Sequence, residues 1–179
     1  MTRLIAGVLL LLLLHTAVSA VEEQTAPTFR DYLVSDIFRG NPVAAQPTSA
    51  FAHRYRTVIR EGARKGPNFS GHYTVVIWGC GTSCAQFAIV DATTGHTYDP
   101  PYVGITWGDQ QGFLKQWGLH YQLNSSLFIA EGCPEEKNCA ARYYQWNGEH
   151  LVLLKTVPIE RVPHEPEPPS VPPAITVKQ

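Results

Sequence analysis

Two short stretches rich in β-branched and aromatic residues flank a pair of cysteines near the middle of the chain, and this feature constrains the fold most. His72 to Trp78 and Ala85 to Val90 each have the length and composition of a β-strand. Between them, Gly79 to Cys84 supplies two glycines and a short polar run, as a tight reversal requires. Because both stretches are apolar at successive positions, we expect strands that are buried on both faces, at the centre of a sheet.

The same order of elements returns in the second half of the chain. In each half a strand ends in Gly-Cys, a polar loop leads to a second cysteine, and a strand, a turn and another strand follow. Three residues separate the cysteines in the first half and five in the second. The further predicted strands are His96 to Tyr98, Leu119 to Leu123, Leu127 to Ala130, Ala141 to Trp146 and His150 to Leu154.

The part of the chain before His72 is predicted to hold one strand and one helix. Phe29 to Phe38 has the composition of a strand, and Ser49 to Lys65 has helical spacing with an apolar stripe. Thr48 or Ser49 is the expected N-cap, and Gly66-Pro67 ends the helix. Its arginines are expected to form a solvated face opposite the stripe. We therefore predict a mainly β (α+β) domain, built of antiparallel meanders with one N-terminal amphipathic helix.

The first twenty residues have the pattern of a secretory signal peptide. Arg3 gives the charged start, Leu4 to Leu14 the apolar run and Val18 to Ala20 the small-residue cleavage site. The predicted organisation is a signal peptide at 1–20, a polar lead-in at 21–28, a single β-rich domain at 29–157 and a disordered proline-rich tail at 158–179. We expect an exported chain, periplasmic or secreted, with no membrane span after cleavage.

The charge of the chain indicates no polyanionic partner. It has 14 Lys and Arg residues against 15 Asp and Glu residues, for a formal charge of −1. A nucleic-acid-binding domain shows a basic patch or stripe, and this balance does not indicate one. We therefore expect no nucleic acid as a partner.

Four cysteines in an exported chain predict two disulfides, because an oxidising compartment favours them. Three pairings are possible. The local one, Cys80 with Cys84 and Cys133 with Cys139, fits best, because the flanking strands would bring each pair together at the mouth of a hairpin. Each such bridge would stabilise the fold by about 2 kcal/mol. A crossed pairing that links the two halves of the chain stays open.

Catalytic and metal-binding interpretations have less support in the sequence. Five polar residues lie near the central strands: Ser70, His72, Asp91, His96 and Asp99. A triad cannot be recognised from such spacing, and there is no GxSxG motif. The CxxxC spacing is not the CxxC of redox proteins, and a zinc site with His72 and His96 would need reduced thiols. We predict no catalytic residue, no metal and no cofactor.

The polar loops between the cysteines are the candidate binding residues. Disulfide-closed loops are rigid, and rigidity lowers the entropy cost of docking. The predicted contact residues are Gly81, Thr82, Ser83, Pro134, Glu135, Glu136 and Lys137. This favours a non-enzymatic binding or inhibitor-type module. The alternatives are a periplasmic envelope hydrolase that uses His72 with Asp91 or another carboxylate, and a structural envelope protein.

The block from Gly66 to Tyr98, GPNFSGHYTVVIWGCGTSCAQFAIVDATTGHTY, resembles a family of uncharacterised exported bacterial proteins. The local layout YTVVIWGCGTSCAQFAIV also resembles Ivy-type periplasmic lysozyme inhibitors, in which a short disulfide-closed loop between two strands enters the lysozyme cleft. The inhibitor loop carries a histidine and an acidic residue between its cysteines, whereas Gly81 to Ser83 has neither. Pro134 to Asn138 is acidic but lacks histidine. The resemblance implies an envelope or extracellular protein, such as a lysozyme, as the partner.

Overall fold

The structure, a computed structural model, describes residues 25–81, 84–102, 104–106, 118–134 and 138–159. They form two antiparallel sheets and a small helical layer, which confirms the predicted mainly β class. The strands are β1 (Tyr73–Gly81), β2 (Cys84–Asp91), β3 (Thr97–Tyr98), β4 (Ile105–Thr106), β5 (Leu119–Tyr121), β6 (Leu127–Pro134), β7 (Ala140–Trp146) and β8 (Leu151–Pro158). The helices are a 3-10 helix (Phe29–Tyr32), α1 (Ala50–Arg54) and α2 (Arg56–Ala63).

The strands follow one continuous hydrogen-bonded path in the order β1-β2-β4-β6-β7-β8. The first sheet contains β1 and β2, with β3 also paired to β2, and the second contains β6, β7 and β8, with β5 also paired to β6. The short strand β4 joins the two sheets, because it pairs with β2 on one side and with β6 on the other.

An aromatic core fills the space between the two sheets. Phe87 from β2 stacks on Phe128 from β6 with ring centroids 5.0 Å apart, and both side chains are fully buried. Tyr73 and Tyr98 from the first sheet each meet the ring of Trp146 from β7 edge-on at 5.1 Å. Edge-to-face and offset contacts of this kind stabilise beyond the area they bury. The core therefore joins both halves of the chain into one unit.

A second, smaller core lies between the helical layer and the outer face of the first sheet. Ile59 and Ala63 of α2 pack against Val76 of β1, with Ala88 and Val90 of β2 beside them. Gly62 allows this close approach, because a Cβ atom there would lie 2.3 Å from a methyl group of Val76. β2 is thus buried on both faces, as predicted, whereas in β1 only Tyr73 to Val76 are buried and the later residues are half-buried or exposed. The expectation that both lie at the centre of the sheet is wrong for β1, which is an edge strand covered by the helices.

The region before the helices differs from its prediction. Phe29 to Phe38 is not a strand, and it begins as the 3-10 helix followed by irregular chain with a single bridge at Leu33. The carboxylate of Asp31 accepts hydrogen bonds from the amide and hydroxyl of Thr28, both at 2.8 Å. This capping box fixes a turn where an extended strand was expected.

The predicted single helix is divided at Tyr55 into α1 and α2. Its start agrees with the prediction, because the Ser49 hydroxyl accepts a hydrogen bond from the Ala52 amide at 2.9 Å. The predicted signal peptide at 1–20 and nearly all of the predicted tail at 158–179 lie outside the described residues. Within the described part of the chain, no helix is long and apolar enough to cross a bilayer.

Candidate functional site

Both disulfides have the local pairing that the sequence favoured. Cys80 is bonded to Cys84 with Cα atoms 5.1 Å apart, and Cys133 is bonded to Cys139 with Cα atoms 4.0 Å apart. Each bridge closes the turn of an antiparallel hairpin. We call β1 with β2 the first cysteine hairpin and β6 with β7 the second. The protein therefore presents two disulfide-closed loops, and the crossed pairing is excluded.

The strand β4 brings the two loops together. Its residue Thr106 is paired with Cys84 on one side and with Cys133 on the other. The two bridges therefore lie one strand apart on either side of β4, at the same end of the molecule, which we call the disulfide end. Neighbouring strands are about 4.8 Å apart, so the two loop bases are separated by roughly 10 Å.

Gly104, just before β4, packs against the first bridge. A Cβ atom at this position would lie 3.5 Å from the sulfur of Cys84 and 3.6 Å from the sulfur of Cys80. The residue has a φ of +93°, a backbone conformation that residues other than glycine rarely adopt. The chain that leads into β4 is thus fitted to the first disulfide.

The second cysteine hairpin has additional support from Arg142 of β7. The guanidinium donates one hydrogen bond to the carbonyl of Asn138 at 2.5 Å and a longer one to the carbonyl of Gly132 at 3.4 Å. Beside them, the amide of Ile159 donates to the carbonyl of Cys139. A rigid guanidinium fork suits two such acceptors better than an ammonium group does. Arg142 therefore holds the two ends of the loop together in addition to the disulfide.

Two buried tyrosine hydroxyls lie near Arg142. The Tyr102 ring meets Phe87 edge-on at 6.1 Å, and its hydroxyl is buried with no hydrogen-bond partner among the described residues. Burial raises the pKa of Tyr102 well above its ordinary value, and it also raises the pKa of Tyr144, although the nearby Arg142 opposes both shifts. Both phenols therefore stay neutral at physiological pH.

The predicted contact residues are described only in part. Gly81 lies at the exposed end of β1, and Pro134 is half-buried at the end of β6. Five other predicted contact residues lie outside the described residues: Thr82, Ser83, Glu135, Glu136 and Lys137. Sequence reasoning missed β4 and Arg142. A two-residue strand has no periodicity to detect, and the role of Arg142 depends on carbonyls that only the folded loop brings into reach.

The opposite end of the molecule holds the residues of the hydrolase alternative. A shallow depression of about 550 Å³ is lined by Asp91, Thr94, His96, Tyr98, Glu149 and His150. One oxygen of the Asp91 carboxylate accepts hydrogen bonds from the amide and the hydroxyl of Thr93, at 2.7 and 2.6 Å. Among the described residues, no group of three or more His, Cys, Asp or Glu side chains is arranged to hold a metal ion.

The electrostatics of Asp91 follow from these contacts. Burial, the largest single influence, raises the pKa of its carboxyl, but the hydrogen bonds from Thr93 and Thr94 and the nearby His72 together lower it more. The net pKa lies below its ordinary value. Asp91 therefore serves the turn that follows β2, and this use of the carboxylate weakens the case for it as the partner of a catalytic histidine.

Comparison with family models, with curated proteins and with solved structures finds no match to this chain. The functional interpretation therefore depends on the two ends of the molecule described above.

Proposed function

We propose that the protein is an exported binding module of inhibitor type, whose contact surface is the disulfide end. The observation that carries this proposal is the pairing of Thr106 with Cys84 and with Cys133, which places two polar loops side by side. Loops that are far apart in the sequence converge there on one surface. A partner would meet both of them in a single contact.

The local support of the two loops favours binding. Each loop is short and covalently closed, and the second is also held by Arg142. A surface that is ordered before it binds loses little conformational entropy on docking. At the first loop, Gly79, Cys80 and Gly81 are exposed, so the strand end at the first bridge is accessible to a partner.

The proposed partner is an extracellular or envelope protein with a cleft that accepts a narrow hairpin. The resemblance of the first cysteine hairpin to Ivy-type inhibitors makes a lysozyme the partner to test. Export is part of the proposal and is supported by two sequence-local disulfides together with the signal-peptide pattern at residues 1–20.

The test is an inhibition titration of lysozymes of several classes with oxidised protein that begins at Val21. We expect stoichiometric inhibition of at least one class, and loss of inhibition after both bridges are reduced. Thr82→Arg adds a bulky cation inside the first loop and should weaken inhibition by tenfold or more, since about 1.4 kcal/mol of lost contact is tenfold in affinity.

The matched control is Gln122→Arg, which adds the same side chain at an exposed position at the opposite end of the molecule. It should leave inhibition unchanged. Absence of inhibition for every lysozyme class would contradict the proposed partner. Equal weakening by Thr82→Arg and Gln122→Arg would contradict the assignment of the contact surface to the disulfide end.

A further inference from the structure

The helical layer carries a concentrated positive charge that the overall charge of the chain conceals. Five exposed cations lie within twelve residues, accompanied by the single acidic residue Glu61. We call them the arginine face: Arg54, Arg56, Arg60, Arg64 and Lys65. In the remaining described residues, acidic side chains outnumber basic ones. The described part of the molecule is thus electrostatically asymmetric.

The helix geometry turns this charge outward. Arg56, Arg60 and Arg64 follow one another at four-residue spacing, so they lie along the same side of α2. At a rise of 1.5 Å per residue, the row extends over about 12 Å. The opposite side of α2 is occupied, because Ile59 and Ala63 are buried against the first sheet. The cations therefore form an exposed row on the helical layer.

No carboxylate of the described residues forms an ion pair with the row. The one ion pair between described side chains is His120 with Glu131, on strands of the second sheet. None of the five cations has a carboxylate within ion-pair distance among the described residues. Like charges at four-residue spacing oppose helix formation, so the arrangement does not serve the stability of α2. A ligand that supplies negative charge would balance it.

We propose that the arginine face docks the protein on a membrane surface rich in anionic phospholipids. Charge complementarity is the argument, because a row of exposed guanidinium groups matches a layer of phosphate headgroups. The choice of a bilayer over nucleic acid rests on the proposed export of the chain. The apolar side of the helices stays in the small core, so the contact is electrostatic and superficial. The face belongs to the helical layer and includes none of the residues of the two disulfide-closed loops.

The test is co-sedimentation of the oxidised protein with vesicles. The protein begins at Val21, since the apolar run of the predicted leader would itself bind lipid. We expect binding to phosphatidylcholine vesicles that contain phosphatidylglycerol, no binding to phosphatidylcholine alone, and release by added salt. Each cation near such a surface contributes roughly fivefold to binding, so Arg60→Gln/Arg64→Gln should lower the partition coefficient on the order of 25-fold.

The control is Arg30→Gln/Arg39→Gln, which removes the same charge from exposed residues outside α1 and α2. It should keep most of the binding of the unmodified protein. Thermal unfolding of both variants verifies that they fold, and the substituted side chains make no hydrogen bond or ion pair within the described residues that would be lost.

Three results would overturn the proposal. These are equal binding to neutral and anionic vesicles, equal loss of binding in the two double variants, and absence of binding to anionic vesicles. Binding to an oligonucleotide without binding to vesicles would assign the arginine face to a soluble polyanion and would also overturn it. The lysozyme titration contains no vesicles and the vesicle assay contains no lysozyme, so failure of one proposal can be distinguished from failure of the other.

Discussion

The strand that leads into the first bridge is exposed at its end, whereas the strand that leads into the second bridge is buried there. Gly79, Cys80 and Gly81 are exposed, while Cys133 is only 6% exposed and Gly132 is buried. Both hairpins border β4, but among the described residues only the second has a guanidinium and a further strand, β8, beside its bridge. The same order of sequence elements thus produces two loops that depend on their disulfides to different degrees.

This difference assigns different tasks to the two hairpins. In the proposed contact surface, the buried strand end at the second bridge provides a firm base, and the exposed strand end at the first bridge is the more accessible part. The aromatic core and β4 connect the two hairpins, so a substitution in the core or in β4 should lower the stability of both. A substitution that removes one bridge or the contacts of Arg142 should lower the stability of one hairpin.

The largest effect is expected for Phe87→Ala, which removes an aromatic ring through which the first cysteine hairpin packs against the second. Phe87 is fully buried and stacks on Phe128. Loss of such a side chain leaves a cavity and should lower the free energy of unfolding by about 3–5 kcal/mol. Urea denaturation measures this. Leu33→Ala, at a side chain that is 61% exposed, is the control and should change stability little.

Selective reduction separates the two bridges. A small phosphine should reduce Cys80–Cys84 several-fold faster than Cys133–Cys139, because access limits the reaction and Cys133 is buried. Loss of the first bridge should lower the free energy of unfolding by about 2 kcal/mol. Alkylation followed by mass spectrometry identifies the order. Equal rates for the two bridges would show that the second loop is not protected by its surroundings.

Arg142→Gln should weaken the second cysteine hairpin alone. It removes a charged hydrogen bond to the carbonyl of Asn138, so the free energy of unfolding should fall by about 1.5 kcal/mol. Amide hydrogen exchange should rise around Cys139 and stay constant around Cys84. Arg142→Lys keeps the charge but loses the fork, and it should restore only part of the protection.

The smallest effect concerns the end of the first hairpin that lies away from its bridge. The pKa of the Asp91 carboxyl is lowered in the folded protein, so its ionised form stabilises the fold. That stability is present above the unfolded pKa, near 3.8, and is lost as the pH falls through the lower folded pKa. Asp91→Asn should reduce the free energy of unfolding at neutral pH. It should also make that free energy depend less on pH in the acid range.

Thr93→Val is the matched test, because it removes the hydroxyl that donates to Asp91 and keeps the shape of the side chain. It should reduce the same pH-dependent contribution. An acid limb that is unchanged in both variants would contradict the assignment of the lowered pKa to these hydrogen bonds.

The sequence predicted the parts of the fold that depend on local signals. The long strands β1, β2 and β7 have continuous apolar or aromatic patterns, and the cysteine pairing follows from the hairpins that those strands form. The prediction of a strand at Phe29 to Phe38 was wrong. The composition of this segment is that of a strand, but the hydrogen bonds between Thr28 and Asp31 fix a turn.

The candidate site was less predictable than the fold. The convergence of the two loops depends on β4, which consists of two residues and makes its contacts with strands distant in the sequence. The exposure of the first loop and the protection of the second likewise arise from tertiary neighbours such as Arg142. The arginines of the helix were visible in the sequence, but the lack of a counter-charge around them was not.

The most direct test of the account is a nuclear magnetic resonance titration of the isotope-labelled oxidised protein with any lysozyme class that the inhibition titration identifies. If the disulfide end is one contact surface, the amides next to Cys80–Cys84 and those next to Cys133–Cys139 should shift together, with a single dissociation constant. Shifts that are confined to one hairpin, or that appear instead around His96 and His150 at the opposite end, would contradict it.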